Sequence, residues 1–445
     1  MADWRNIYKD PWTKKFAVKK SPLFFDLNND IQDGIDIESR MRSAERFVNK
    51  AIEYGALSNR RQLLVIGAGV AGVSAAITAL KHHVPVTIKD GARAAFDLQK
   101  RCKTRWLHPN QYKWPAPEYE HNQYPWLPGL AAPLTWRAAH SHRVALQWNK
   151  QLNSLRKSRR NLLTVQYRTP VRIDEPTLLE SYIKLAHELN SDEQFGIILA
   201  CMGTPEKASL KPFRGYRFWE SDRLREPGCG LSDKSASVLI SGGGDGAQQD
   251  LLRIALKPHP LKMILRLKKT IDHTAAGRQW WDRLESGITR MNRRAATSLS
   301  PATLRDLANF YDSIFRQNPS IVSDLRETLQ DALCPHFERL QITFSFQFPH
   351  VPWGYPLNRF LVELLRNSIM ERFQHEIYKP NLKIELIKPH HRHRCDKSAA
   401  DCYGRSHEIH FRNLVNNSEF NGYYHIIVIR HGLNLPRLDM PHVAA

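Results

Sequence analysis

The sequence predicts an α/β protein in which the order strand, glycine turn, helix, strand occurs twice, the second copy carrying a mostly helical insertion. Three observations carry this reading. Leu63-Leu64-Val65-Ile66 is a short apolar run of the kind a strand shows when both its faces are covered, and it leads directly into Gly67-Ala68-Gly69-Val70-Ala71-Gly72. Ser237-Val238-Leu239-Ile240-Ser241 leads in the same way into Gly242-Gly243-Gly244-Asp245-Gly246-Ala247. The segments Phe195 to Gly203 and Tyr424 to Gly432 have matching shapes: an aromatic start, an apolar centre and a terminal glycine.

The elements follow in order. With 445 residues, two or three domains are expected. Residues 1–60 read as a lead-in, with an amphipathic helix from Ile35 to Leu57. Residues 61–235 form the first unit. Its helix follows Gly72, and Val84 to Ile88 makes a second strand ending at Asp90. Trp106 to Trp136 is dense in Pro, Trp, Tyr and His and suits an ordered loop packed by aromatic contact. Helices are expected at Ala138 to Leu155 and Pro176 to Leu189, and short strands at Leu162 to Tyr167 and Val171 to Ile173. The second unit takes residues 236–275 and 380–445, with a helix at Gln248 to Leu256 and its next strand at Lys262 to Leu267. Residues 276–379 are the helical insertion, with apolar repeats at Leu304 to Phe315 and Phe360 to Phe373. Leu382 to Ile387 and Glu408 to Leu414 are strand-like.

The glycines point to phosphate. A helix N-terminus offers unpaired N–H groups and partial positive charge. Gly67 allows the tight turn out of the strand, Gly69 lets the backbone approach a pyrophosphate, and Gly72 lets the helix sit close on the strand. An acid that grips a ribose is expected about 20 residues on, at the end of the second strand, and Asp90 stands there. The alternative use of such a turn is packing alone. In the second copy the turn reads Gly242, Gly244, Ala247, and no acid ends the expected strand. Arg266, Lys268 and Lys269 stand there instead, which suits the 2′-phosphate of NADPH better than NADH. The chain thus reads as two Rossmann-like dinucleotide-binding units.

These two glycine-rich units, each closed by an apolar strand ending in glycine, resemble the two-dinucleotide-binding-domain flavoproteins, which include flavin monooxygenases and pyridine-nucleotide reductases. Leu64 to Asp90 is similar to their FAD fingerprint, Val238 to Ala247 to their NAD(P)H turn, and Ala200-Cys201-Met202-Gly203 stands where they carry an Ala-Thr-Gly turn. The resemblance implies a FAD-dependent oxidoreductase that takes hydride from NAD(P)H, monooxygenase-like if oxygen is the acceptor. It also brings the loop with Arg105, His108 and Trp114 near the cofactor, to stack on a ring or bind an anion, and adds Gly203 to the cofactor-binding residues. The sequence departs from the reductase branch in having no Cys-x-x-Cys and no Gly-Asp after Gly432. No side chain can be named as catalytic.

Lys plus Arg number 65 against 44 Asp plus Glu, so the formal net charge is +21 and attracts polyanions without specifying one. Basic residues concentrate at 137–172 and 266–294. No run approaches a membrane span, and Met1 to Lys20 has no apolar core of a signal peptide, so a cytoplasmic protein is expected. His390, His391, His393, Cys395, Cys402, His407 and His410 cluster in sequence at spacings unlike a zinc finger, so a solvated basic loop is the expectation and no metal is assigned. Two rival functions stand beside the oxidoreductase: a nucleotide-sensing or protein-interaction module on a degenerate Rossmann pair, and a basic nucleic-acid-associated protein.

Overall fold

The computed structural model describes residues 4–18, 23–29, 36–126, 132–169, 195–203, 209–210, 213–215, 217–222, 237–297, 300–337, 340–347, 354–370, 377–389 and 407–431. It divides into two compact units. The first combines Met1–Pro109 with Asn122–Pro205, and the second combines Asn110–His121 with Glu206–Leu433.

The first unit is built on a five-stranded parallel sheet. Its strands are β1 (Phe24–Asp26), β2 (Gln62–Ile66), β3 (Val86–Asp90), β4 (Leu163–Tyr167) and β5 (Phe195–Ala200), in the spatial order β1-β5-β2-β3-β4. Leu63, Leu64, Val65, Ile197, Ile198 and Leu199 are fully buried, as wholly apolar strands covered on both faces must be. Helix α1 (Ile37–Glu53) is capped by Asp36, which accepts a bond from Ser39 N at 2.9 Å. It packs on α2 (Val70–Lys81), the helix that follows the first glycine turn. Helix α3 (Ser141–Ser158) buries Val144, Ala145, Trp148 and Leu152 against the unit. Residues 1–60 are therefore part of the first unit rather than a lead-in, because Phe24 to Asp26 pairs with β5 as the edge strand. The expected elements at Val171 to Ile173 and Pro176 to Leu189 lie outside the described residues.

The second unit repeats the arrangement. Strands β6 (Ser237–Ser241), β7 (Gln341–Ser345), β8 (Tyr378–Lys379) and β12 (Ile426–Ile429) form a parallel sheet in the order β8-β7-β6-β12. Between β6 and β7 run α4 (Asp245–Ala255), α5 (Pro260–Ile271), α6 (Ala275–Thr297), α7 (Pro301–Gln317) and α8 (Pro319–Asp331). Helix α9 (Pro356–Ser368) lies between β7 and β8, and β9 (Leu382–Pro389), β10 (His407–Asn413) and β11 (Glu419–Tyr424) form a separate antiparallel sheet. In both parallel sheets the chain steps outward from the strand before the glycine turn, then returns to that strand's other side. The crevice at such a reversal is where open α/β sheets bind ligands.

Three expectations need correction. Lys262 to Leu267 is not a strand. It lies within α5, whose N-terminus is set by His259 as N-cap and Pro260 in the first turn. Leu261, Ile264, Leu267 and Ile271 are buried at three- and four-residue spacing, so the helical period wins over the short apolar run. The insertion is also displaced. Its helices fill 260–331, and residues 276–379 include β7 in the interior of the sheet. The closing strands are shorter than expected: β5 ends at Ala200 and β12 at Ile429, Tyr424 belongs to β11, and Gly432 lies outside the described residues.

Candidate dinucleotide site

The first turn starts where β2 gives out. Gly67 donates its N–H to Lys89 O at 2.8 Å, which holds the turn to the end of β3. Its φ is +109°, a left-handed conformation that L side chains rarely adopt. A Cβ there would stand 2.5 Å from the carbonyl oxygen of Cys201, just past β5. Cys201 N in turn bonds Ile66 O at 2.7 Å, so the loop after β5 lies directly on the turn. Gly72 faces the other way, and a Cβ on it would collide with Gly67 O and Val65.

Gly69 differs from both. It is the N-cap of α2 in extended backbone (φ −79°, ψ −170°), and a Cβ built on it meets nothing within 4 Å. No side chain caps the helix there. An uncapped helix N-terminus beside open space is suited to an anion. Asp90 stands at the end of β3, as expected. Its carboxylate accepts from Ala68 N, within the turn, and from Ala92 N at 2.6 Å. Two ionised oxygens offer about four acceptor positions, so these bonds fix the carboxylate and leave room for ribose hydroxyls. Gly203 has φ +75° and open space at its Cβ position.

The aromatic loop is shared out. Arg105 and His108 belong to the first unit and are buried at 2% and 5% exposure. Burial pushes the His108 imidazole down to about 4, so it is neutral at pH 7 and brings no charge to an anion. Trp106 meets His140 edge-on at 5.3 Å. Trp114 belongs to the second unit, where its ring lies 5.4 Å from Phe360 and edge-on to Trp281 at 6.4 Å. It is a core residue of that unit.

The second turn copies the backbone of the first. Gly242 has φ +117° and donates to Ser345 O at 2.8 Å, a Cβ on it would strike Arg430 O, and Arg430 N bonds Ser241 O at 2.7 Å. Gly244 is an uncapped N-cap with open space, and Ala247 is fully buried at the place of Gly72. The side chains differ. Lys89 and Ser345 are matched by their bonds to the two turns, so the residue matched to Asp90 is Phe346, which is buried. Arg266 is on α5, half-exposed and 3.8 Å from Asp331. The strand end that was to place it beside a 2′-phosphate belongs to β7 instead. Asp245 puts a carboxylate in the first turn of α4, where it accepts from Tyr355 N at 3.1 Å and Asn358 Nδ2 at 2.6 Å.

A buried ionic network, not expected from the sequence, adjoins this turn. Asp222 accepts two bonds from Arg253, Asp250 accepts one from Arg253, and Asp250 accepts another from Arg430 Nε, all at 2.9 Å. Burial works against the Arg253 charge, and the two carboxylates more than offset it, raising the guanidinium above its usual range. Arg430 also lies over the Phe218 ring, and both side chains come within 3.4 Å of the Cβ position of Gly246. The only hint in sequence was Arg430 itself, which follows the closing strand.

Among the described residues no helix is long and apolar enough to cross a membrane, and no group of three or more His, Cys, Asp or Glu could hold a metal. Most of the His/Cys cluster lies outside those residues. No protein-family model matches the chain, and no curated protein matches it in sequence. Similar solved structures include thioredoxin reductase from Lactococcus lactis (10% identity, TM-score 0.37, covering 84% of this chain and 78% of that one). The bacillithiol disulfide reductase of Staphylococcus aureus gives 10%, 0.37, 84% and 76%. The L-lysine 6-monooxygenase of Pseudomonas syringae gives 10%, 0.33, 84% and 82%. Likeness at this level assigns no activity.

Proposed function

We propose that the first unit binds FAD and that the protein is a FAD-dependent oxidoreductase. The observation that carries this is the uncapped N-terminus of α2 with open space at Gly69, beside a carboxylate anchored at the end of β3. Gly69, Val70 and Ala71 would present backbone N–H groups to a pyrophosphate, and Asp90 would accept from ribose hydroxyls. An acid at that place repels a 2′-phosphate, which favours FAD over a phosphorylated nicotinamide cofactor in this unit. Bound FAD would supply two-electron hydride chemistry, while the protein positions it and keeps water away. The test is reconstitution: the purified protein, incubated with FAD and desalted, should retain flavin absorbance in proportion to protein.

NADPH is the proposed hydride donor, at the second turn. Its support there is the open Gly244 N-cap and the absence of an acid at Phe346. A specific observation favours a second reading. Asp245 in the first turn of α4, with Arg430 and Phe218 against Gly246, supports a unit whose turn is filled by its own side chains. In that reading the protein senses a nucleotide through the first unit alone. Anaerobic addition of NADPH separates the two, since only a working second site lets NADPH bleach the bound flavin.

A further inference from the structure

From Arg137 to Thr169 the sequence holds eight Lys and Arg and not one Asp or Glu. Most of this stretch is α3, the turn after it and β4. The apolar stripe of α3 is used up inside the first unit by Val144, Ala145, Trp148 and Leu152. Its outer face carries Arg143, Lys150 and Lys157, all exposed. Seven residues make nearly two helical turns, so the three cations stand in one line about 10.5 Å apart. Arg156, Arg159 and Arg160 crowd the C-terminal end and are exposed as well. None of these six is in an ion pair among the described residues. Cations on other helices find carboxylates: Arg42 pairs with Glu38 on α1, Arg266 of α5 with Asp331 of α8, and Arg294 of α6 with Asp306 of α7. A solvated helix normally alternates charge in that way, because like charges on one face repel.

We propose that the outer face of α3 is a binding surface for the phosphate backbone of duplex nucleic acid. A line of cations at that spacing matches about three phosphate repeats of one strand. No aromatic side chain is offered on the face, since Trp148 is buried and Tyr167 half-buried, so single strands gain no stacking platform. An acidic membrane is disfavoured because the helix has already spent its apolar stripe in the core, leaving only Leu146 exposed to insert. Backbone contacts carry no sequence information, so the binding is sequence-independent. The inference is independent of any cofactor.

The test uses the full-length protein and a labelled duplex of about 20 base pairs with random sequence. Anisotropy titrations from about 50 to 200 mM salt give the slope of log K against log salt, to which each phosphate contact contributes about −0.9. The triple variant Arg143→Gln, Lys150→Gln, Lys157→Gln should flatten the slope by about 3 and weaken binding at low salt tenfold or more. The control triple Arg283→Gln, Arg290→Gln, Arg293→Gln removes the same charge from exposed positions on α6 and should leave both quantities near wild type. Equal losses in the two triples would show attraction by net charge alone and overturn the proposal. It would also be overturned by wild-type protein that ignores the duplex at low salt, or that prefers phosphatidylserine vesicles or an acidic peptide to it.

Discussion

Phe346 occupies in the second sheet the place that Asp90 holds in the first. Each follows the residue whose carbonyl receives the N–H of the glycine turn, Lys89 for Gly67 and Ser345 for Gly242. One backbone plan therefore ends in a carboxylate in one unit and in a buried ring in the other. The two turns share a shape without sharing a chemistry.

The first prediction concerns Arg266. It lies half-exposed on α5 at 3.8 Å from Asp331, a geometry worth about 0–1 kcal/mol. Arg266→Ala should leave NADPH and NADH titrations unchanged and the melting curve nearly so. A selective loss of NADPH affinity would show that Arg266 reaches the nucleotide after all.

Asp250 is the joint of the buried network, bonded to Arg253 and Arg430 at once. Asp250→Ala leaves two buried guanidinium groups short of a partner and should cost about 3–5 kcal/mol in denaturant unfolding. A loss below about 1 kcal/mol would mean that the network contributes little to holding the end of β12 on α4.

His108 sets an acid dependence. Burial holds its folded pKa at about 4 against 6.5 for an ordinary imidazole. Between those values the unfolded chain binds the extra proton, so this contribution is complete above about pH 6.5 and is lost as pH falls toward 4. Wild type should lose about 2 kcal/mol more than His108→Gln between pH 7.5 and pH 5. Parallel losses in urea unfolding would show that His108 is not the group responsible.

Gly67→Ala and Gly69→Val should separate folding from binding. The first puts a side chain at positive φ and against Cys201 O, and should destabilise by more than about 1 kcal/mol. The second adds a side chain at ordinary φ into open space and should melt like wild type.

Much of this was legible in the chain and some was not, for physical reasons. Leu63 to Asp90 could be read because a buried strand, a tight turn and a close-packed helix each leave a local residue pattern. Gln341 to Ser345 had a usable signal: Ile342 and Phe344 alternate with Thr343 and Ser345. So short a run does not stand out amid helical segments, whereas the apolar run in Lys262 to Leu267 reads locally as a strand. Phe24 to Asp26 is a strand only because β5 lies beside it, a partner more than 170 residues away in sequence. Where Trp114 packs, and the meeting of Asp222, Asp250, Arg253 and Arg430, are likewise settled by tertiary contact, which no local pattern records.

The most direct measurement is a FAD titration of wild type and Gly69→Val, followed by flavin fluorescence alongside a melting curve for each. The account predicts saturable binding to wild type, and for Gly69→Val an unchanged melt with binding lost, because the new side chain fills the space left for the pyrophosphate. A wild-type protein that binds no FAD, or a folded Gly69→Val that binds it equally well, would contradict the central claim.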